Sequence, residues 1–369
     1  MKISRCITAT LALLATLSAC RKESAQEIGP GEKTGHPITW RSSVDTKAAA
    51  AYNTESLKAT SIGVRALWTD QGKPYGSTTS PYLYWENQVV KFNAGDNLWH
   101  CDPVQYWLLG KQISFFAYAP WTDDEDVFKY ISTPTALLRA EFSQNDDPAQ
   151  QTDMLVAKPV LDQVDYGGNP VTLSFKHALS KVLIYLNITG DSEGHRFKLK
   201  SMSLGNIAGS GAFRYDTSAE GFTWDEIPRS NMSVRNRTYN LSIAGSTLVD
   251  EYIPHVNDLA PGTTGLDRYL RVQTAPKGEL MMIPQPLTSS SQLILNLDAY
   301  REEPASSGNW VYDSSEAPFD LILPAENSWE AGNVYCYTIT LDVTHHYIIQ
   351  FGITITPWGS YSQTISYPE

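Results

Sequence analysis

The chain has 369 residues, a formal charge of −12, 18% charged residues and 11% aromatic residues, among them 20 Tyr and 10 Trp. Its acidic balance argues against nucleic acid and anionic lipid headgroups as electrostatic partners. The length suffices for two domains of ordinary size, and an aromatic-rich, charge-poor mix favours β-structure over helix.

Met1-Lys2-Ile3-Ser4-Arg5 is a short basic start, Ile7 to Leu17 a compact apolar run, and Leu17-Ser18-Ala19-Cys20 its close. This is the pattern of a secretory signal ending in a lipobox. The run is too short to span a bilayer as a stable helix. Residues 1–19 are expected to be removed and the Cys20 thiol to take up lipid. Each buried methylene contributes roughly 0.8 kcal/mol, so two or three acyl chains hold where one does not. Loss of Lys2 and Arg5 takes the charge to −14. Residues 20–36 are polar and contain Gly and Pro, and are expected to be a flexible tether.

From Ile38 onward short strands alternate with turn signals. Ile38-Thr39-Trp40 reads as an early strand, followed by basic residues at Arg41 and Lys47. Ala48 to Ala51 reads as a brief helix. Ser61–Trp68 and Ile113–Tyr118 read as further strands, and Gly167-Gly168-Asn169-Pro170 is the densest turn punctuation mid-chain. The domain boundary is therefore placed near residue 168, giving domains at 37–168 and 169–369.

In the second half, side chains alternate along each strand. Val182, Ile184, Leu186 and Ile188 share one face, as do Leu293, Leu295 and Leu297, and Tyr335, Tyr337, Ile339 and Leu341. Tyr347, Ile349, Phe351, Ile353 and Ile355 are expected to line the inward face of a last long strand. In the tail, Tyr361, Gln363, Ile365 and Tyr367 fall on one face and Ser362, Thr364 and Ser366 on the other. No long segment has a 3.6-residue period, so the expectation is all-β, with two β-sandwich domains in tandem.

Nothing in the sequence assembles a catalytic or metal centre. Gly-x-Ser-x-Gly and His-Glu-x-x-His are absent. His345 and His346 are adjacent and point to opposite faces of a strand. His100-Cys101-Asp102 has ligand types in consecutive positions that rarely converge. Asp123-Asp124-Glu125-Asp126 lacks the alternating spacing of a calcium loop. His177, between Phe175 and Leu179, reads as a packed histidine. Cys6 lies in the signal and Cys20 is consumed by lipid, which leaves Cys101 and Cys336 as two separate thiols in different domains. No cofactor and no enzymatic activity are expected.

Several segments taken together resemble the fimbrillin family, the lipoprotein subunits of type V pili. They are Phe115-Phe116-Ala117-Tyr118-Ala119-Pro120; Asp153-Met154-Leu155-Val156-Ala157 with Leu173 to Lys181; Met282-Ile283-Pro284-Gln285-Pro286-Leu287; Trp329 to Tyr335 with Thr338-Ile339-Thr340-Leu341; and Ile355-Thr356-Pro357-Trp358. Their order and spacing cover the chain from about residue 38 to its end. The resemblance implies transthyretin-like, Greek-key sandwiches and an outer-membrane, cell-surface location. It also implies assembly with other fimbrial subunits by strand exchange after an arginine- or lysine-specific, trypsin-like protease removes the first strand. Loss of that strand exposes backbone groups and an apolar floor for a neighbour's strand to fill. The contact is heterologous and so propagates.

Here Thr46-Lys47-Ala48 stands where the family often has Thr-Arg-Ala. Lys47 and Arg41 are the candidate cut sites, and the face of Tyr361, Gln363, Ile365 and Tyr367 is the candidate donor strand. The leading strand is expected to lie as a removable piece over an apolar groove; an irreplaceable place between two ladders would argue against exchange. The alternative reading is a surface glycan-binding lipoprotein. It rests on Trp68, Tyr82, Tyr84, Trp85, Trp99, Tyr106 and Trp107, rings that stack on sugars if exposed and fill the core if not. Either reading allows host or bacterial surface ligands.

Overall fold

The computed structural model describes residues 31–45, 53–77, 81–131, 138–216, 221–226, 236–239, 251–272, 279–324 and 328–358. In chain order the first half contributes β1 (Lys33–Pro37), β2 (Thr39–Val44), the helix α1 (Thr54–Leu57), β3 (Ser61–Asp70), β4 (Tyr82–Asn93), β5 (Leu98–Cys101), β6 (Tyr106–Leu108), β7 (Lys111–Ala119), β8 (Phe128–Ile131), β9 (Arg139–Ser143), β10 (Leu155–Ala157), β11 (Val160–Gln163) and β12 (Val171–His177). The second half contributes β13 (Ser180–Thr189), β14 (His195–Gly205), β15 (Ser210–Asp216), β16 (Gly221–Glu226), β17 (Asn236–Tyr239), β18 (Leu270–Val272), β19 (Leu280–Met282), β20 (Gln292–Glu302), β21 (Trp310–Ser315), β22 (Phe319–Ile322), β23 (Asn333–Asp342) and β24 (Tyr347–Pro357). The protein is all-β, as its sequence pattern predicts.

An eight-stranded sheet, ordered β10-β12-β2-β5-β4-β3-β7-β11, dominates the first half. β10 also pairs with β7, Leu155 opposite Ala119 and Val156 opposite Tyr118, so the sheet curls over and closes on itself. Its inner face is an apolar core that includes Trp40, Ala66, Trp85, Trp99, Trp107, Phe115 and Phe175. In the second half, the sheet β18-β13-β23-β24, with β19 on β13, packs against β17-β14-β20-β21, with β22 on β20. Between them lie Val182, Ile184, Leu186 and Ile188 from β13, Leu293, Leu295 and Leu297 from β20, and Tyr335, Tyr337, Ile339 and Leu341 from β23. These are the alternating faces expected from the sequence.

Four features depart from the sequence reading. The first is the tether, expected to run to residue 36. Lys33–Pro37 instead forms β1 on β6, with Leu109 N–H donating to the Glu32 carbonyl at 2.7 Å. Lys-Thr-Gly-His-Pro has no apolar alternation, because the ladder is short and its side chains are mostly exposed. The second is the boundary near 168. β12 bonds to β10 and β2 in the first sheet, so the chain changes sheet between His177 and Ser180.

The third is the inward face expected for β24. Phe351 and Ile353 pack against the core as expected, but Tyr347, Ile349 and Ile355 are exposed. Among the described residues β24 pairs with β23 alone and so stands at the sheet edge, and a bulge between Thr340 and Leu341 turns Ile348 rather than Ile349 toward the core. The fourth is a four-stranded sheet, β16-β15-β9-β8, which joins strands from both halves. A third cluster lies beneath it, with Phe116, Tyr118, Phe128 and Phe142 from the first half and Leu183, Phe213, Tyr215, Val334 and Trp358 from the second. Sequence alternation along one strand cannot reveal a sheet assembled from distant segments. The helix expected at Ala48–Ala51 lies outside the described residues. The helix found, Thr54–Leu57, is started by Asn53, whose Oδ1 accepts from Glu55 N and Ser56 N while Ser56 Oγ accepts from Asn53 N. That is a reciprocal capping box in which a serine takes the place of the usual glutamate.

Candidate functional site

The sequence singles out the leading strand, and the structure gives its surroundings. β2 runs parallel to β12, with Trp40 opposite Val171 through to Val44 opposite Phe175. On its other side it is antiparallel to β5, but only over Thr39–His100 and Trp40–Trp99. The expectation of a strand laid over a groove is thus corrected: β2 is a stave of the sheet, held between two ladders of unequal length. Taking out a stave leaves a slot with a backbone edge on each side and the core as its floor.

β2 holds its slot chiefly through side chains. Ile38, Trp40 and Val44 are buried, and Arg41 and Ser43 face outward. Trp40 is fully buried and meets Phe115 edge-on, ring centroids 5.6 Å apart. Each such aliphatic side chain contributes roughly 1.5–3 kcal/mol when fully buried. Trp99 Nε1 donates to Ser42 Oγ at 2.9 Å, and Asp45 N–H donates to the Phe175 carbonyl at 2.9 Å. Val44 N–H donates to Thr54 Oγ1 at 3.2 Å, which ties the end of β2 to the capped start of α1. The core around β2 is imperfectly satisfied. The indole N–H groups of Trp40 on β2 itself, and of Trp85 and Trp107 in the same cluster, are buried without an acceptor among the described residues, each at a cost of about 1–3 kcal/mol.

Arg41 lies within the β2–β12 ladder opposite Thr172. Its side chain is exposed, but its peptide bonds are held in the sheet, where a protease that binds an extended substrate cannot take them. Lys47 lies in the stretch between Asp45 and Asn53, outside the described residues. Cys20 and the tail residues Tyr361, Gln363, Ile365 and Tyr367 also lie outside them.

The last described residue before the tail is well anchored. Trp358 is buried and stacks on His177, centroids 4.3 Å apart and planes 6° from parallel. Lys181 Nζ sits over the indole, 4.7 Å from its centroid, and Trp358 N–H donates to the Gly332 carbonyl at 2.7 Å. His177 pairs with Asp153 at 2.9 Å, both side chains buried, and Lys181 pairs with Glu279 at 2.8 Å. His177 is thus the packed histidine the sequence implies, at the end of the strand that flanks the slot. Trp358 was legible only as part of a family-like block; nothing in the local pattern pairs it with His177.

The other residues weighed from sequence are dispersed. Trp68, Trp85, Trp99 and Trp107 are buried in the first core and offer no sugar-stacking platform. Neither Cys101 nor Cys336 forms a disulfide, and both are buried. Burial pushes the Cys101 thiol up to about 12. His345 reaches Asp342 and His346 reaches the Pro318 carbonyl, while His100 reaches Asp96. Among the described residues no group of three or more His, Cys, Asp or Glu could hold a metal ion, and no helix is long and apolar enough to cross a membrane.

The sequence profile of the fimbrillin-like family matches residues 46–358, and the chain belongs to that family. The match begins just after β2. Family membership supports a structural role as a fimbrial subunit and, with it, a place at the cell surface. Among solved structures, the chain is similar to a fimbrial protein from Bacteroides vulgatus at 16% identity and a TM-score of 0.59, over 87% of this chain and 99% of that one. It is also similar to candidate cell adhesion proteins from Bacteroides uniformis (14% identity, TM-score 0.44, 87% of this chain and 99% of that one) and Parabacteroides distasonis (11%, 0.46, 89% and 99%). At these identities the likeness to the first shows a shared fold. No curated protein matches the chain.

Proposed function

We propose that the chain is exported as a lipoprotein through Cys20, cut at Lys47, and polymerised by replacement of β2 with the tail strand of a neighbouring subunit. The observation that carries this reading is the shortness of the ladder from β2 to β5, two residue pairs. Loss of β2 would bare a backbone edge on β12 and on β5 above an aromatic floor. Lys47 rather than Arg41 is the site of the cut, because the Arg41 peptide is locked in a ladder.

The tail fits the vacancy in kind. Tyr361, Ile365 and Tyr367 present bulky groups at alternate positions to an apolar floor. Gln363, on the same face, would bring a side-chain carbonyl toward a core in which the Trp85 and Trp107 N–H groups lack acceptors among the described residues. New ladder bonds and side-chain burial then repeat those of β2. Because donor and acceptor are different surfaces, the contact extends into a filament rather than closing a ring of two. Adhesion follows from the filament.

The test is limited trypsin treatment of the purified precursor, read by SDS gel and electron microscopy, with Lys47→Gln and Arg41→Gln beside the natural chain. The natural chain and Arg41→Gln should be cut after Lys47, as read from the new N-terminus, and form multimers, and Lys47→Gln should do neither. Cleavage without multimers, or equal assembly by Lys47→Gln, would contradict the proposal.

A further inference from the structure

β13 and β23 lie side by side in parallel, and their outward faces change character along their length. Near the junction that face is apolar: Leu183, Tyr185, Val334 and Cys336 are covered by the third cluster. Beyond it, the same face turns polar. Asn187 stands beside Thr340, and Thr340 beside Gln350 of β24, a row across three adjacent strands. Asn187 and Thr340 are buried all the same. Asparagine is a poor choice for the centre of a strand, and here its Oδ1 is buried with no donor to satisfy it. Unsatisfied groups of this kind are uncommon in native folds and call for an explanation.

The row forms the floor of an open surface recess of about 360 Å³, large enough for one sugar ring. The short 3-10 helices Val256–Asp258 and Gly265–Arg268 bring Val256, Arg268 and Tyr269 to its rim, and half-exposed Ile349 completes it. Asn187 Nδ2 donates to the Arg268 carbonyl at 3.3 Å, which ties floor to rim. The Arg268 side chain is exposed and engages no described residue in a hydrogen bond or ion pair. Asp258 and Asp267 lie on the same two helices but do not line the recess, and no carboxylate among the described residues does. In a chain of charge −12, this is a recess whose described lining has one cation and no anion.

We propose that this recess binds a carboxylated saccharide. Amide and hydroxyl groups at strand spacing match the hydroxyls of a sugar ring, and Tyr269 and Ile349 offer an apolar wall to its C–H face. A lone guanidinium takes a carboxylate in a bidentate pair. A doubly charged phosphate would call for more cations than the one present. The site is separate from the β2 slot and does not depend on strand replacement, so it would serve equally in the unpolymerised chain.

The test is calorimetric titration of the full mature chain with methyl β-glucuronide, N-acetylneuraminic acid and methyl β-glucoside as probes. At least one of the two acidic sugars should bind at least about tenfold more tightly than the neutral one, as expected for a charge-assisted hydrogen bond. Arg268→Gln should erase that preference at an unchanged melting temperature. Thr340→Val should weaken every sugar that binds while leaving the preference in place. No binding by either acidic sugar, equal binding of acidic and neutral probes, or a preference that survives in Arg268→Gln would overturn the proposal.

Discussion

Asp165 shows how a single side chain holds the start of the folded chain. Its carboxylate accepts from Thr34 Oγ1 at 2.6 Å, pairs with His36 Nδ1 at 2.7 Å, and accepts from Gly168 N–H at 2.9 Å. Gly168 has φ +78°, a left-handed conformation in which a side chain is strained. Burial works against the charge on Asp165, but the bonds from Thr34, the Gly168 N–H and His36 outweigh it and hold the carboxyl below its usual range. A lowered carboxyl stabilises the fold above its unfolded pKa and stops doing so as pH falls through the folded value. Protection of the β1 amides against hydrogen exchange, taken relative to the intrinsic rate at each pH, should therefore be high at neutral pH and fall below the ordinary carboxylate range, and Asp165→Asn should show the low protection already at neutral pH. Exchange indifferent to both would mean that β1 is held by its ladder alone.

At the scale of the element, the leading strand is held firmly but in few places. Removing a buried Trp or Phe side chain costs about 3–5 kcal/mol, so Trp40→Ala should lower the unfolding free energy of the uncut chain, read from denaturant titration, by about that much. Once the chain has been cut and has polymerised, β2 is gone, and the same substitution should leave subunit stability unchanged. A cost that persists after polymerisation would show that β2 never left.

Strand-level features were legible to different degrees, for physical reasons. Alternation named the buried faces of β13, β20 and β23 because each packs against the facing sheet of one sandwich. It missed Leu183 and Tyr185, buried on the opposite face of β13 by a cluster assembled from both halves. It misjudged β24, where apolar alternation persists on an edge strand with a bulge. It passed over β1, whose exposed ladder needs no apolar pattern. The candidate site was half legible. Ile38-Thr39-Trp40 reads as a strand, but its neighbours β12 and β5 come from distant parts of the sequence, and their pairing depends on how the sheet closes. The polar recess gave no local signal, since Asn187, Thr340 and Gln350 meet only through register.

At the scale of the whole molecule, the halves are not separate beads. The four-stranded sheet and the cluster beneath it bind them, and the clasp of His177 and Lys181 on Trp358 fixes the root of the tail there. β12 ends in His177 and also lies beside β2, so in the proposed exchange the root of the donor tail and the flank of the acceptor slot would share one strand. That geometry suits a subunit that passes tension from its own tail to the strand it receives. The claim beneath it is that β2 can be displaced. It is tested most directly by native mass spectrometry of the chain cut at Lys47 and mixed with a synthetic peptide of residues 359–369. Loss of the leading fragment with uptake of one peptide per chain is the predicted result; a fragment that stays bound while the peptide remains free would contradict it.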